Sequence, residues 1–366
     1  MKLLYATSAS YPSTLANRLQ TLAMAKEFHE LLGSDFCLGV SSFPQPQPDL
    51  PIVEMPGSRR SILLAIRYAL FIRRERFTHV YCREEKLLFF LRLYTRLLNI
   101  RVKLYFEAHT IRPDFIFKTA VRRADGVVAI THGVASDLMQ LGVPPARIAV
   151  EADGVDLARF AGLPSRDSVR ARFGIAQESK VLLYAGSFGF IPPWDYHPWK
   201  GADTFLDAAS RAPADWVFVC AGGEDKEVVA VRERYPDTRI HLLGHVSPND
   251  IPGLLGAANI LVLPNKRGAA GSERYTSPLK LFEYMASGIP ILASDLPSLR
   301  EVVSEQEVSF FEPNDPEALI SVARGVFENG DAAKERAARA RSLADRYTWH
   351  ARAERILSFL SAKRDS

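Results

Sequence analysis

The sequence predicts an α/β protein built from two Rossmann-like domains. Three observations predict it: the length of the chain, the alternation of short apolar runs with amphipathic helical stretches, and the restart of that alternation midway. At 366 residues the chain exceeds the size at which a single hydrophobic core stops growing. Hydrophobic residues make up 47% and charged residues 24%, a globular composition that excludes a disordered or fibrous chain.

In the first half, strands are expected over 3–7, 36–40, 79–83, 102–108 and 126–131, and helices over 15–32, 61–74, 86–98 and 133–141. Such alternation builds parallel sheets joined by crossover helices. A short strand then leads into Ala152-Asp153-Gly154-Val155-Asp156 and a polar, proline-containing stretch to about residue 168, whose turn formers mark a domain boundary. The rhythm restarts with strands over 180–185, 216–221, 240–244, 260–264, 289–293 and 308–311. Helices fit 202–210, 249–257, 278–286, 316–328 and 331–345, and an amphipathic helix over 349–360 ends the chain. The expected domains are 1–160 and 161–345, followed by a terminal segment over 346–366. Ligands bind beyond the carboxyl ends of the strands in open α/β sheets, so the chemistry is expected in a central cleft between the two domains.

Cys37, Cys82 and Cys220 lie far apart in apolar runs with no metal spacing. They read as small buried hydrophobes of a reducing compartment. The opening MKLLYATSASYPS turns polar too soon for a signal peptide, and no apolar run reaches the ~20 residues that span a bilayer. A cytoplasmic location is expected.

The segment 277–288, SPLKLFEYMASG, reads as a short punctuated helix. Ser277 fits the N-cap and Pro278 the first helical position. Gly288 fits the residue past the end, and Pro290 forbids continuation. The first amides of a helix are unpaired and carry the positive end of its dipole, so they favour a phosphate. Lys280 adds a charge within the first turn, beside Leu279. Glu283, on the same face as Lys280, offers a carboxylate to a vicinal diol such as a ribose. Phosphate donors followed by a diol acceptor describe a nucleoside diphosphate. Spacing alone equally allows a capped structural helix with a surface Lys–Glu pair.

Residues 277–302, from this helix through IPILASD to Arg300-Glu301-Val302, resemble the donor-binding signature of glycosyltransferase family 4. The resemblance implies a retaining enzyme of the GT-B fold, an α/β architecture of two Rossmann-like domains. It maps the glutamate that contacts the donor ribose onto Glu283. The companion glutamate eight positions earlier, which touches the donor sugar, is Tyr275 here, with Glu273 nearby.

A second phosphate group is expected from Val181-Leu182-Leu183-Tyr184-Ala185-Gly186-Ser187, a buried strand ending in a glycine turn, together with Lys200-Gly201 at the start of a helix. Glycine lets the backbone approach a ligand and lysine supplies a point charge. The family places a basic residue where Ser187 stands, so Lys200 carries over and Lys280 offsets the missing charge. The spacer holds Phe188, Phe190, Trp194, Tyr196, His197 and Trp199, expected mostly to pack on one another. His245 is a candidate neighbour of the base.

In the first domain His109 follows the strand over 102–108, at a carboxyl end facing the expected cleft. The family resemblance implies contact with the donor sugar. Strict alternation is taken to turn Glu107 to the opposite face. The loop over 8–17 lacks the glycines that relatives use there, and Asn17 is a candidate cap or ligand.

The net charge of +4 is uneven: residues 58–103 hold 12 basic and 3 acidic side chains. Arg59, Arg60, Arg67, Arg73, Arg74 and Arg76 flank one apolar helical run, and Arg92, Arg96, Arg101 and Lys103 a second. Basic amphipathic helices lie on anionic membranes, while the same pattern also suits helices that cover a sheet and show arginine to water. No nucleic-acid motif accompanies the patch.

The expected function is transfer of a sugar from a UDP- or GDP-linked nucleotide sugar to a glycan or lipid-linked acceptor hydroxyl, with no cofactor and no metal site. Lys200, Lys280 and His109 are the expected catalytic groups. Location on the inner face of a membrane is the accompanying expectation. A nucleotide-sugar epimerase or phosphorylase on the same architecture, and a binding protein without catalysis, remain open.

Overall fold

A computed structural model of the chain describes residues 1–11, 16–43, 49–55, 61–189 and 198–362. It divides into two compact units, Met1–Ala152 with Trp349–Ser366, and Asp153–Thr348.

The first unit holds a seven-stranded parallel sheet of β1 (Leu3–Ala6), β2 (Phe36–Val40), β3 (Ile52–Glu54), β4 (His79–Cys82), β5 (Lys103–Ala108), β6 (Gly126–Ala129) and β7 (Ile148–Val150), in the order β3-β2-β1-β4-β5-β6-β7. The second holds β8 (Lys180–Ala185), β9 (Trp216–Ala221), β10 (Ile240–Gly244), β11 (Ile260–Leu263), β12 (Ile291–Ser294) and β13 (Ser309–Phe311), in the order β10-β9-β8-β11-β12-β13. All pairings are parallel, with registers such as Leu3 opposite His79 and Ile260 opposite Leu182. Both sheets are doubly wound, and each reverses its order beside its first strand, at β1/β4 and at β8/β11. Such switch points open a crevice at the carboxyl ends of the strands. The strands are continuous apolar runs because helices cover both faces: Val181, Leu182, Leu183 and Tyr184 are fully buried.

The joins fall at 152/153 and 348/349 rather than at 160 and 345. Residues 153–160 are bonded into the second unit: the Asp153 N–H donates to Ser277 Oγ at 2.8 Å, and the Val155 N–H donates to the Tyr347 carbonyl at 2.8 Å. Tyr347 itself packs at a tilt on Phe282, with centroids 5.1 Å apart. The terminal helix Trp349–Ser361 packs in the first unit against the helix Ala16–Leu32. It buries Trp349, Ile356 and Leu360, and burying an aliphatic side chain of that size contributes roughly 1.5–3 kcal/mol. The Tyr105 hydroxyl donates to the Leu360 carbonyl at 2.9 Å.

All three cysteines are free. Cys82 and Cys220 are buried, but Cys37 is only half-buried, so it is not the core residue that its apolar run predicts.

Candidate active site

In the second unit the site residues gather at the end of β8. The strand runs into Gly186, whose φ is +148° and whose N–H donates to the Ala221 carbonyl at 2.7 Å. The Tyr284 hydroxyl accepts the Ala185 N–H at 2.9 Å, which fastens the helix Leu279–Ser287 to the strand end. A Cβ on Gly186 would lie 3.0 Å from Lys280 Nζ and 3.3 Å from its Cδ. The glycine therefore makes room for the lysine.

The helix starts one residue later than its punctuation predicts. Pro278 (φ −75°, ψ 117°) is the N-cap and Leu279 the first helical residue. Ser277 does not cap, because its hydroxyl is occupied by the Asp153 N–H. No side chain caps this end, so its leading amides keep the character that attracts anions. Gly288 closes the other end in the left-handed conformation, φ +70°.

Lys280 rises from the first turn. Its Nζ is buried with no hydrogen-bond partner and lies 4.1 Å from the Tyr184 ring centroid, a cation–π contact. Burial first, then the charge of Lys200, lowers its ammonium to about 7, with Glu283 opposing. Lys200 ends a short 3-10 turn and donates to Ser187 Oγ. Burial lowers its ammonium too. Gly201 follows with φ +69° as the N-cap of the helix Ala202–Ala209.

Glu283 is held by Arg159, whose Nη1 lies 3.4 Å from Glu283 Oε1 and whose other nitrogen donates to the Pro248 carbonyl. Burial raises the Glu283 carboxyl against the pull of Arg159. Arg159 is a site residue that the sequence does not announce. Tyr275 sits in the turn after the short helix Ala270–Glu273, its N–H on the Ala270 carbonyl at 3.2 Å. Glu273 accepts the Gly268 N–H at 2.9 Å, which engages the nearby carboxylate in its own loop. His245 is exposed. Phe188 is buried and packs on Tyr184. Phe190, Trp194, Tyr196 and His197, like Arg59, Arg60 and residues 12–15 of the first loop, lie outside the described residues.

In the first unit a cavity of about 500 Å³ lies at the β1/β4 switch point, lined among others by Thr7, Ser8, Asn17, Arg83, His109 and Thr110. Asn17 contributes its carbonyl, which accepts from Arg83 Nη1 at 3.2 Å. Glu107 does not face away from His109: its Oε1 lies 2.6 Å from His109 Nε2. Residues two apart on an extended chain share a face, which is why the pair meets. Arg83 Nη2 lies 2.6 Å from His109 Nε2 and 3.4 Å from Nδ1. Of these two neighbours only Glu107 can accept, so Nε2–H donates to its carboxylate, while Arg83, a donor only, stands close against Nε2 and has Nδ1 as its more distant ring acceptor. The Tyr81 hydroxyl donates to Glu107 Oε2. Burial pushes the Glu107 carboxyl up, but Arg352, Arg83 and His109 outweigh it and hold it well below the usual range.

Glu27, Glu30 and His350 bring potential metal-ligand atoms within 4.8 Å of one another, with His350 Nδ1 2.9 Å from Glu27 Oε2. None of the three lines this cavity.

Residues 25–159 match the family model described as Glycosyltransferase Family 4, and residues 180–329 match that described as Glycosyl transferases group 1. A D-inositol 3-phosphate glycosyltransferase of Xylanimonas cellulosilytica is 28% identical over 65% of this chain and 57% of its own length. A phosphatidyl-myo-inositol mannosyltransferase of Mycolicibacterium smegmatis is 26% identical over 54% of this chain and 47% of its own. The chain thus spans about half the length of these curated relatives. Among solved structures, Anabaena HepE in complex with UDP is similar at a TM-score of 0.80 and 18% identity, covering 99% of this chain and 100% of that one. The chain therefore has the GT-B fold, and its two units hold segments similar to family 4 and group 1 glycosyltransferases.

Proposed function

We propose that the chain is a retaining glycosyltransferase that moves a sugar from a UDP- or GDP-linked donor to a hydroxyl on a glycan or lipid-linked acceptor in cell-envelope synthesis. The observation that carries this is the buried Lys280 ammonium, which has no hydrogen-bond partner, at the start of a helix without a side-chain cap. A buried ammonium without a hydrogen-bond acceptor is costly, and a diphosphate supplies the acceptor. In this mechanism the helix amides, Lys200 and Lys280 stabilise the negative charge that grows on the departing diphosphate, which is where electrostatic catalysis acts most strongly. Arg159 holds Glu283 for the ribose hydroxyls, and His109 contacts the sugar. The bond from the sugar's first carbon to the diphosphate breaks on the face where the acceptor oxygen bonds, and the acceptor proton passes to the leaving diphosphate. The UDP in HepE and the lipid named for the mannosyltransferase support the donor and acceptor classes.

A thermal-shift screen of UDP, GDP and ADP tests the donor site. One of them is expected to stabilise the protein by about 2.7 kcal/mol at a hundredfold excess over its Kd, and its nucleotide sugar should then release diphosphate only when acceptor is present. No shift with any of the three overturns the proposal. Release without acceptor points instead to hydrolysis or another reaction of the donor.

The proposed setting is the surface of an anionic membrane. No helix among the described residues is long and apolar enough to cross one. Three adjoining helices of the first unit, Ser61–Glu75, Glu85–Leu97 and Phe115–Arg123, expose Leu70, Leu93, Leu97 (70%) and Phe115 (76%) among the arginines. Vesicles rich in anionic lipid should capture the protein at low salt. With ~1 kcal/mol for each basic residue near such a surface, Arg73→Glu with Arg74→Glu should weaken capture about tenfold or more. Equal flotation of both proteins removes the membrane from the proposal.

A further inference from the structure

Glu107 is 2% exposed and is faced from every side by polar groups. Tyr5 comes from β1, Tyr81 from β4, Arg83 from the turn after β4, His109 from the turn after β5, and Arg352 from the terminal helix. The two arginines differ in kind. Arg83 divides its donors among Gln20 Oε1 at 2.9 Å, the Asn17 carbonyl at 3.2 Å and Thr21 Oγ1 at 3.3 Å, and its Nε stands 3.7 Å from Glu107. Arg352 is 1% exposed. Its Nη2 lies 3.2 Å from Glu107 Oε1, and its Nε donates to the Ala152 carbonyl at 2.8 Å.

We propose that Arg352 is a positioning residue for His109: anchored on the terminal helix, it fixes Glu107 as an ionised acceptor, and Glu107 keeps the imidazole proton on Nε2 and the ring in one orientation. The chain of contacts is continuous, from the Ala152 carbonyl to Arg352, to Glu107 Oε1, to His109 Nε2. Its strength follows from burial, since an ion pair removed from water is screened little and an unpaired partner left behind is strongly disfavoured. Take away Arg352, and burial drives the Glu107 carboxyl upward toward protonation. The imidazole then loses its fixed acceptor, and Nδ1 is no longer held as the ring's lone-pair nitrogen. This deepens the proposed function, because it rests on His109 facing the donor sugar.

The test is made on the full chain carrying nitrogen-15-labelled histidine. In the parent protein the His109 Nε2 resonance should be that of a protonated ring nitrogen in one fixed environment. In Arg352→Met the Nε2 and Nδ1 resonances should move toward an average. With the donor identified above, kcat should fall about 10- to 100-fold, as for other residues that orient a reacting group from behind, while the donor KM stays within about twofold. A new acid limb should enter the kcat profile where Glu107 now protonates. A lowered Tm with unmoved His109 resonances means a structural role only and overturns the proposal. Should the methionine variant not fold, Arg352→Lys reads the same quantity. The ammonium cannot bond Glu107 and the Ala152 carbonyl in the same geometry, so the Nε2 resonance shifts if Arg352 orients His109 and stays in place if it does not. Absence of sugar transfer from the parent protein would defeat the proposed function, and the resonance arm would still decide the role of Arg352.

Discussion

Lys280→Met is expected to weaken nucleoside-diphosphate binding while raising the melting temperature of the unliganded form. Both effects have one cause. The ammonium is buried without a hydrogen-bond partner and beside a second lysine, so the empty protein bears an unmet electrostatic cost that a thioether of similar shape removes. A phosphate oxygen supplies the missing partner. Charge-assisted hydrogen bonds contribute about 1.5–3 kcal/mol, so the affinity loss should be roughly 10- to 150-fold by calorimetry. The pH dependence follows with a definite sign. In the folded protein the Lys280 ammonium is lowered to about 7, against 10.5 ordinarily. Between those values the unfolded chain holds a proton that the folded chain has released, so stability rises with pH across the window. Diphosphate binding works against this, because it draws the proton back. Above pH 7, binding should take up about one proton, seen as a binding enthalpy that changes with buffer ionisation heat. The methionine variant should show neither effect. Unchanged affinity, or no proton uptake, would remove Lys280 from the diphosphate site.

Gly201→Ala should be the most destabilising conservative change in the second unit. The residue has φ +69°, and an added Cβ would stand 1.6 Å from the Pro264 carbonyl oxygen, a backbone atom that cannot swing away. Left-handed strain costs about 1–2 kcal/mol, and overpacking against a fixed neighbour adds roughly 1–3 kcal/mol. Gly288→Ala is the matched control. Its φ is +70°, but nothing lies within 4 Å of the added carbon, so only the strain of about 1–2 kcal/mol is expected. Chemical denaturation of the pair separates the steric part from the conformational part. Equal losses would mean that β11 and the helix start do not approach as closely as described. Since Lys200 immediately precedes Gly201, any Gly201→Ala protein that folds should also bind nucleotide more weakly.

Much of this architecture was legible because its signals are local. Strands 36–40, 180–185 and 216–221 are apolar runs buried on both faces, and their bounds follow from composition alone. The helix Asp225–Arg234 was not, because its sequence DKEVVAVRER is polar and only Glu227 and Val231 are buried. β3 is three residues long and half-exposed, too short for alternation to show. The helix Arg166–Arg172 sits inside a polar stretch that resembles a linker. In the site, Gly186, Lys200 and Lys280 announce themselves through glycine turns and helix punctuation. Arg159 and Arg352 do not, since their partners Glu283 and Glu107 lie 124 and 245 residues away in the chain. Ser277 shows the opposite failure. Its local sequence suits a cap, but a tertiary donor, the Asp153 amide, takes the hydroxyl that the helix would have used.

The first unit is discontinuous: it needs residues 349–361, which are translated after the entire second unit. A nascent chain therefore exposes the groove that receives Trp349 and Leu360, and leaves Glu107 without Arg352, while all six strands of the other sheet are already available to pair. Ribosome-bound chains halted before the terminal helix should show a protease-resistant second unit beside a first unit that chaperones still bind.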